Sequence, residues 1–235
     1  MNIVKLHATT STNDELKSRF RESELPQLTT IYTLEQSQGK GQQGAKWVSE
    51  KGKNLTFSVL IKKNLQNLSP FLINQLISVT IVEWLKDELQ IQSKIKWPND
   101  ILSVRHKLCG ILIENIYAGE HIAYSIIGIG LNVNQEEFID LPKAISLKQI
   151  TNREFDLEKL LISFLKQLKN NLRNPIEVAQ KYTKYLFKFN QVASFISDSG
   201  TFKGTVKGTT ADGKLILETS GEQRLFTLKE LKWIY

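Results

Sequence analysis

The spacing of apolar and polar residues divides the chain into a mixed α/β region and a β-rich tail. Short strand-like runs predict strands at Ile3–Leu6, Thr29–Leu34, Asn54–Ile61, Lys94–Trp97, Ile101–Val104, Lys107–Ile116 and His121–Ile129. Helical spacing predicts helices from Thr12 to about Phe20, from Ser69 to about Leu89, over Phe155–Leu172 and, after a break at Asn174-Pro175, to about Tyr185.

Local signals support several of these boundaries. Thr12-x-x-Glu15 matches a capping box at the start of the first helix. Ser69 followed by Pro70 is a suitable N-cap and first-turn pair for the second helix. The segment from Tyr117 to Glu120 contains a glycine and suits a hairpin connection between two strands.

The pattern changes at Gln191. Short β-type runs recur between Gly204, Gly208, Gly213 and Gly221, without a helical pattern among them. This spacing is typical of a small all-β module of about 45 residues. We therefore predict two domains, a larger one over residues 1–188 and a small one over residues 189–235.

Composition narrows the class of protein. Hydrophobic residues make up 41% of the 235 residues and charged residues 23%, which is typical of a globular chain with a real core. The net charge of +7 is not concentrated in a tail, and it could serve nucleic acid, an acidic partner or polyphosphate substrates. A single cysteine and the lack of a signal peptide or long apolar run favour a reducing cytoplasmic location away from membranes.

A glycine-rich segment follows the second predicted strand. Gly39 to Gly44 satisfies G-x-G-x-x-G, but no helix is predicted after it, as a dinucleotide-binding turn requires. Ala45 stands where a P-loop needs lysine, so both standard nucleotide motifs are excluded. The glycines still allow backbone N–H groups to converge on an anion, and Lys40 and Lys46 add positive charge. A flexible surface loop is the alternative.

Three further segments combine turns, glycines and polar residues. Lys96–Asp100 contains Pro98 and an Asn-Asp pair, which predicts a rigid turn with no necessary chemical role. In Lys107–Glu114 a lysine precedes an apolar strand with a glycine, and it is either a solvated edge residue or a ligand for phosphate or carboxylate oxygen. Gly128–Asn134 suits a tight turn or an adenine edge.

Taken together and in this order, these segments resemble one family, the biotin protein ligases. The matching pieces are Ser11-Thr12-Asn13, Glu35-Gln36 with the loop through Trp47, Lys96–Asp100, Lys107–Glu114 and Gly128–Asn132. The resemblance covers about residues 1–135, and the tail matches the family's small C-terminal domain. It implies an α/β (α+β) fold, with a class II synthetase-like, mostly antiparallel mixed sheet flanked by helices, followed by a small SH3-like β-barrel.

The resemblance also implies roles for individual residues. Lys107 corresponds to the active-site lysine. The implied biotin-binding residues are Ser11, Thr12, Asn13, Gln36, Gly39, Lys40, Gly41, Gln42, Lys107 and Gly110, and the implied nucleotide-binding residues are Lys40, Trp47, Asn99, Asp100, Lys107 and Asn132. Helix capping is an alternative role for Ser11 or Thr12, and a turn role is an alternative for Asn99, Asp100 and Asn132. Lys40, Gln42 and Ala45 replace three family arginines, which puts a bidentate phosphate contact at position 42 in doubt.

The implied reaction consumes biotin and MgATP and forms biotinyl-5′-adenylate, whose biotin then passes to a lysine of a biotin carboxyl carrier protein or domain. Cys109 has no nucleophilic role in such a reaction, and His7, His106 and His121 lack metal-ligand spacing. We assign no metal ligands and expect a monomer or homodimer. Because the first motif begins at Ser11, we expect no operator DNA binding and no repressor function.

Three other functions remain alternatives. A lipoate or octanoate transferase shares the implied fold, and the Lys96–Asp100 and Lys107–Gly110 segments favour biotin over it. A regulator that senses biotin without transferring it would not turn over ATP. A nucleic-acid binder would use the β-rich tail, but that tail lacks the interleaved aromatic residues of a stacking surface.

Overall fold

A computed structural model describes residues 1–63, 65 and 68–234. The helices are α1 Thr12–Glu22, α2 Pro70–Leu89, α3 Leu147–Thr151, α4 Leu157–Asn171, α5 Pro175–Gln180 and α6 Tyr182–Tyr185. The strands are β1 Ile3–Thr9, β2 Thr30–Gln36, β3 Gly39–Lys40, β4 Lys46–Trp47, β5 Leu55–Ile61, β6 Lys94–Lys96, β7 Asp100–Ser103, β8 His106–Ala118, β9 His121–Leu131, β10 Val192–Ser197, β11 Gly200–Thr209, β12 Leu215–Thr219, β13 Glu222–Phe226 and β14 Lys232–Ile234.

Seven strands form the main sheet, in the order β1-β2-β5-β9-β8-β7-β6. The β1–β2 pair is parallel and joined through α1, whereas the other neighbouring pairs in this sheet are antiparallel. The predicted mixed, mostly antiparallel sheet is thus confirmed. It places β2, β5, β9 and β8 next to one another in the middle of the sheet.

Helices cover both faces of this sheet because its strands alternate between two apolar faces. On β5, Phe57 and Val59 join the main core with residues of α2 and α4, including the fully buried Trp84. Leu60 points the other way and packs with Leu16 of α1 in a smaller core. The predicted helices flanking a sheet are therefore confirmed.

The start of α1 differs from the predicted capping box. Ser11 is the N-cap, and its Oγ accepts a hydrogen bond from the Asp14 N–H at 3.4 Å. Thr12 is the first helical residue, and its hydroxyl contacts Gln36 and Ser58 instead of a helix N–H. The predicted cap at Thr12 is wrong by one residue, because the Thr12 side chain is used in tertiary contacts. At α2, Ser69 and Pro70 take the predicted cap and first-turn positions.

The tail forms a five-stranded antiparallel sheet in the order β13-β12-β11-β10-β14. Its inner residues, such as Phe195 and Leu217, belong to the same apolar core as the main sheet. The Trp97 indole N–H also donates to the Gly213 carbonyl at 2.9 Å, which ties the two sheets together. The predicted all-β module is confirmed, and the boundary after residue 188 remains a prediction.

Candidate functional site

The middle of the main sheet presents a floor nearly free of side chains. Across neighbouring strands the register aligns Thr56 with Gly130, Gly130 with Gly110, and Gly110 with Asp100. One step along the same face, Ser58 of β5 pairs with Gly128 of β9. Because residues two apart in a strand share a face, these glycines form one floor on the side of the sheet that α1 covers.

A cleft of about 370 Å³ lies over this floor. Twelve residues predicted from the family resemblance line it, namely Ser11, Thr12, Asn13, Gln36, Lys40, Gly41, Gln42, Trp47, Asn99, Asp100, Lys107 and Gly110. The structure therefore brings together segments that are up to about a hundred residues apart in the chain. This arrangement supports the interpretation of these segments as one site.

One end of the cleft is neutral and tightly hydrogen-bonded. We call the set Ser11, Thr12, Asn13, Gln36 and Ser58 the neutral end. The Ser58 hydroxyl lies 2.7 Å from Thr12 Oγ1 and 2.5 Å from Asn13 Oδ1. Gln36 Oε1 accepts from the Thr12 N–H at 2.9 Å, which links the end of β2 to the first turn of α1.

The Asn13 amide is fixed from both sides. Its Oδ1 accepts from Ser58, and its Nδ2 donates to Glu114 Oε2 at 2.7 Å. Glu114 also pairs with Lys17 of α1. A Cβ on Gly128 would lie 2.5 Å from Asn13 Oδ1, so only glycine leaves room for this amide. The neutral end is thus a rigid set of donors and acceptors that suits a small polar ring.

The opposite end is charged. We call Lys96, Asp100 and Lys107 the charged end. Asp100 lies between the two ammonium groups, with 2.7 Å from Oδ1 to Lys107 Nζ and 3.0 Å from Oδ2 to Lys96 Nζ. Burial alone would raise the pKa of Asp100, but the two lysines outweigh it and lower that pKa below its usual range. Asp100 is therefore ionised at neutral pH, and the charged end has a net positive charge.

The backbone of Lys107 is held firmly while its side chain reaches into the cleft. Its N–H donates to the Lys143 carbonyl at 2.6 Å, and its own carbonyl accepts from the Ile145 N–H at 3.0 Å and from Asn132 Nδ2 at 3.2 Å. The Lys107 side chain is 37% exposed. An ammonium on such a fixed base can contact an incoming carboxylate or phosphate without moving the strand.

The glycine-rich segment folds into a small hairpin over the cleft. β3 and β4 pair Gly39 with Trp47, and Gln42 and Gln43 form a tight turn between them. The Trp47 indole rests on the glycine floor, because a Cβ on Gly130 would lie only 2.3 Å from its Cε2. The hairpin was predicted only as an irregular loop, since two-residue strands leave no periodicity to detect.

Two predicted site residues lie outside the cleft lining. Gly39 is a buried residue of the hairpin itself, where a Cβ would lie 2.4 Å from the carbonyl oxygen of its partner Trp47. Asn132 is 3% exposed and donates to the carbonyls of Lys107 and Ile145. Both residues shape the site from behind in this structure, and their direct contact with a ligand remains a prediction.

The cleft includes residues that the motifs did not single out as ligand contacts. Thr56 and Lys96 line it, and Ser58 supports the lining residues Thr12 and Asn13 of the neutral end through hydrogen bonds. The tail adds further lining residues, namely Leu228, Lys229, Leu231, Lys232 and Trp233. The polar residues Thr56 and Ser58, two positions apart in an apolar strand, were a sequence signal for the site. No local sequence pattern indicates that the tail, over a hundred positions further along the chain than Lys107, contributes to the cleft.

Among the described residues, neither the cysteine nor a cluster of metal ligands supplies a further reactive group. Cys109 is fully buried, and burial raises the pKa of its thiol. Among residues 1–63, 65 and 68–234, no group of three or more His, Cys, Asp or Glu side chains is arranged to hold a metal ion. Within the same ranges, no helix is both long and apolar enough to cross a membrane.

Donors and acceptors at one end of a cleft, with two lysines and a carboxylate at the other, have the chemistry to hold a small polar acid next to a phosphate. Comparison with known proteins agrees. Residues 6–132 match the model of the biotin/lipoate A/B protein ligase family. The chain belongs to this family, and the predicted resemblance is confirmed.

The matches to known proteins extend over both the main α/β region and the β-rich tail. The bifunctional ligase/repressor BirA of Bacillus subtilis is 28% identical over 91% of this chain and 69% of its own length. The protein of the same name from Bacillus spizizenii is 30% identical over 83% of this chain, which spans 62% of that relative. A biotin protein ligase from Aquifex aeolicus, solved with biotin and ATP, superposes with a TM-score of 0.81 at 24% identity, over 99% of this chain and 98% of that one.

Proposed function

We propose that this protein is a biotin protein ligase. It would activate biotin with ATP to biotinyl-5′-AMP and pyrophosphate, and then transfer biotin to a lysine of a biotin carboxyl carrier protein or domain. The observation that supports this most directly is the cleft itself. Its neutral end offers amides and hydroxyls to a ureido ring, and its charged end offers ammonium groups to a carboxylate and a phosphate.

In the first step a carboxylate oxygen of biotin attacks the α-phosphorus of ATP, and pyrophosphate leaves. Two anions approach each other in this step, and negative charge spreads over the phosphate oxygens. Lys107 is the residue we assign to offset that charge, because its Nζ lies over the glycine floor within 3.3 Å of the Cβ position of Gly110. In the second step the acceptor lysine amine attacks the acyl carbon, and AMP leaves.

Mg²⁺ would enter with the ATP phosphates. The described part of the cleft lining contains one carboxylate, Asp100, together with the amide of Asn99. Proteins commonly hold Mg²⁺ through one or two carboxylates plus substrate phosphates. Because both Asp100 oxygens already pair with lysines, these residues fit a metal that is held mainly by the nucleotide phosphates, and the metal's charge would add to that of Lys107 and Lys96.

The hairpin that carries the glycine-rich segment would protect the adenylate. A free acyl-adenylate hydrolyses, so the site must exclude water between the two steps. Trp47 already lies on the floor, and Lys40 of the same hairpin reaches Asp14 of α1. Since Gln42 and Ala45 carry no charge, we expect backbone N–H groups and Lys40 to make the anion contacts of this segment.

The test is biotin-dependent exchange of pyrophosphate into ATP by the purified chain, with lipoate and octanoate in parallel. Exchange with biotin alone supports the proposal. Exchange with lipoate or octanoate would keep the family and change the substrate. Lack of exchange with all three acids, from folded protein with Mg²⁺ present, would contradict ligase activity and favour a protein that only binds the acid.

We further expect the carrier to be modified in the cytoplasm, where ATP is available. We also expect no binding to operator DNA, which a mobility-shift assay would check. We expect a monomer or a homodimer.

A further inference from the structure

Buried polar atoms without a partner are concentrated in the cleft. Among the described residues, five buried side-chain polar atoms have no hydrogen-bond partner within the protein. Four of them belong to residues that line the cleft, namely Gln42, Trp47, Thr56 and Trp233. The fifth, Ser93 Oγ, belongs to a residue outside the lining. Buried polar groups are rarely left unpaired, so this concentration points to atoms that pair with a ligand.

Thr56 is the most deeply buried of these four residues. It is 5% exposed, and it sits in the middle of β5, a strand whose other residues are buried as well. Its neighbour on β2, Thr33, donates its hydroxyl to the Glu35 carbonyl, and its neighbour on β9 is Gly130, which has no side chain. Neither neighbour therefore satisfies the Thr56 hydroxyl, which remains available to a molecule on the glycine floor.

The register places Thr56 near the neutral end of the cleft. Ser58 is the next residue on the same face of β5, and it contacts both Thr12 and Asn13. The adjacent strand β2 ends in Gln36, another member of the neutral end. By contrast, Lys107 Nζ lies above Gly110, which is two strands away from Thr56 in their shared row.

We propose that Thr56 is a further specificity-determining residue, whose hydroxyl hydrogen-bonds to the ureido ring of biotin. This inference rests on the proposed function and deepens it. The ureido ring has N–H donors and a carbonyl acceptor, so either hydrogen-bonding role of the hydroxyl finds a partner. The dithiolane ring of lipoate and the alkyl chain of octanoate have no such groups and would leave Thr56 unpaired. Such an unpaired site group disfavours the wrong ligand.

The test compares Thr56→Val with Thr56→Ser. Valine keeps the branched shape and removes the hydroxyl, while serine keeps the hydroxyl. We expect Thr56→Val to raise the Kd for biotin about 3- to 20-fold, the size of one buried hydrogen bond. The KM for ATP and kcat should stay within about twofold, and Thr56→Ser should recover most of the biotin affinity.

Ser93→Ala is the matched control, because it removes a buried, unpaired hydroxyl outside the cleft. It should leave the Kd for biotin unchanged. Calorimetric titration with biotin and with desthiobiotin, which keeps the ureido ring but lacks sulfur, should show the same loss in Thr56→Val. Any residual binding of octanoate should not weaken.

The outcomes separate this inference from the proposed function. If the unmodified chain binds neither biotin nor desthiobiotin, both are overturned. If it binds them and Thr56→Val binds equally well, only the role of Thr56 is overturned. If Thr56→Val weakens desthiobiotin and octanoate binding by the same factor, the proposed hydrogen bond is also overturned. The hydroxyl would then affect binding through the general shape of the cleft.

Discussion

The two ends of the cleft are built on different physical principles. At the neutral end, Thr12, Asn13 and Ser58 are almost completely buried and bonded to one another within the protein. At the charged end, Lys107 is 37% exposed, and the nearby Trp47 indole has an unpaired N–H. The first region is preorganised and selects by shape and hydrogen bonding, whereas the second is adaptable and responds to charge.

This difference suits a reaction in which one substrate binds first and a second must then approach it. A rigid pocket fixes the small acid with little loss of entropy on binding. A more open charged end can contact the carboxylate, the α-phosphate and later the acceptor amine in turn. The same comparison indicates which substitutions should change chemistry and which should change stability.

The largest expected effect is at the charged end. Lys107→Ala should reduce adenylate formation by at least about tenfold to a hundredfold, because a stabiliser of the phosphate charge is lost. The melting temperature should fall only modestly, because the ion pair with Asp100 is lost while Lys96 still pairs with Asp100 and the backbone contacts of residue 107 remain. Pyrophosphate exchange measures the effect, with Lys166→Ala on the exposed face of α4 as a control. Near-normal exchange would place the chemistry elsewhere.

A pair of glycine substitutions compares the rigid neutral end with the floor beneath Trp47, next to the adaptable charged end. Gly128→Ala places a methyl group 2.5 Å from Asn13 Oδ1 in the rigid network, whereas Gly130→Ala meets the half-buried Trp47 at 2.3 Å. Overpacking the rigid end should cost about 2 to 3 kcal/mol, or roughly 4 to 12 °C in Tm. The Trp47 side chain can shift, so Gly130→Ala should cost less than about 1 kcal/mol.

Thermal unfolding of the two variants measures this difference. Neither glycine has a positive φ, so alanine introduces no backbone strain at either position. Equal losses of Tm would contradict the contrast between a rigid and an adaptable end.

The smallest expected effect is a dependence of stability on pH at the charged end. The pKa of Asp100 is lowered below its ordinary value of 3.8, because Lys107 and Lys96 outweigh the opposing effect of burial. A lowered pKa in the folded state contributes stability at pH values above 3.8, and this contribution is lost as the pH falls through the folded-state pKa. The stability advantage over Asp100→Asn should therefore be constant near neutral pH and shrink in acid.

Urea unfolding of both chains across the acidic range measures that difference. A gap that stays the same down to the lowest pH at which both chains fold would show that the ion pairs contribute nothing. Lys17→Met, which leaves Asp100 and its two lysines in place, should keep the pH dependence attributed to Asp100.

Much of the fold could be predicted because its main elements have strong local signals. The β8–β9 hairpin has two long alternating strands joined at Gly119, and α2 has the Ser69-Pro70 start. The β3–β4 hairpin and the five-residue α3 could not be predicted, since two to five residues carry too little periodicity. Their conformation depends on tertiary contacts, such as that of Trp47 with Gly130.

The site was predicted mainly through resemblance to a family, because each motif alone was compatible with a purely structural role, such as a turn, a helix cap or a surface loop. Lys107 illustrates this, since a lysine before a strand is usually solvated and only its position beside Gly110 and Asp100 distinguishes it. Thr56 and Ser58 lay within the predicted strand Asn54–Ile61, and the register of β5 against β9 places both on the face that carries the glycine floor. Approach of the tail to the cleft is a long-range feature that local patterns do not encode.

The placement of the four tryptophans gives this protein an internal optical reporter. Trp84 is buried in the apolar core away from the cleft, whereas Trp47, Trp97 and Trp233 line the cleft, and of these Trp47 and Trp233 are only partly buried. Emission from Trp84 should stay constant, while emission from the partly buried Trp47 and Trp233 should shift in wavelength and resist acrylamide quenching when a ligand fills the cleft. Binding of each substrate can therefore be followed in unlabelled protein, with Trp47→Phe and Trp233→Phe separating the two signals.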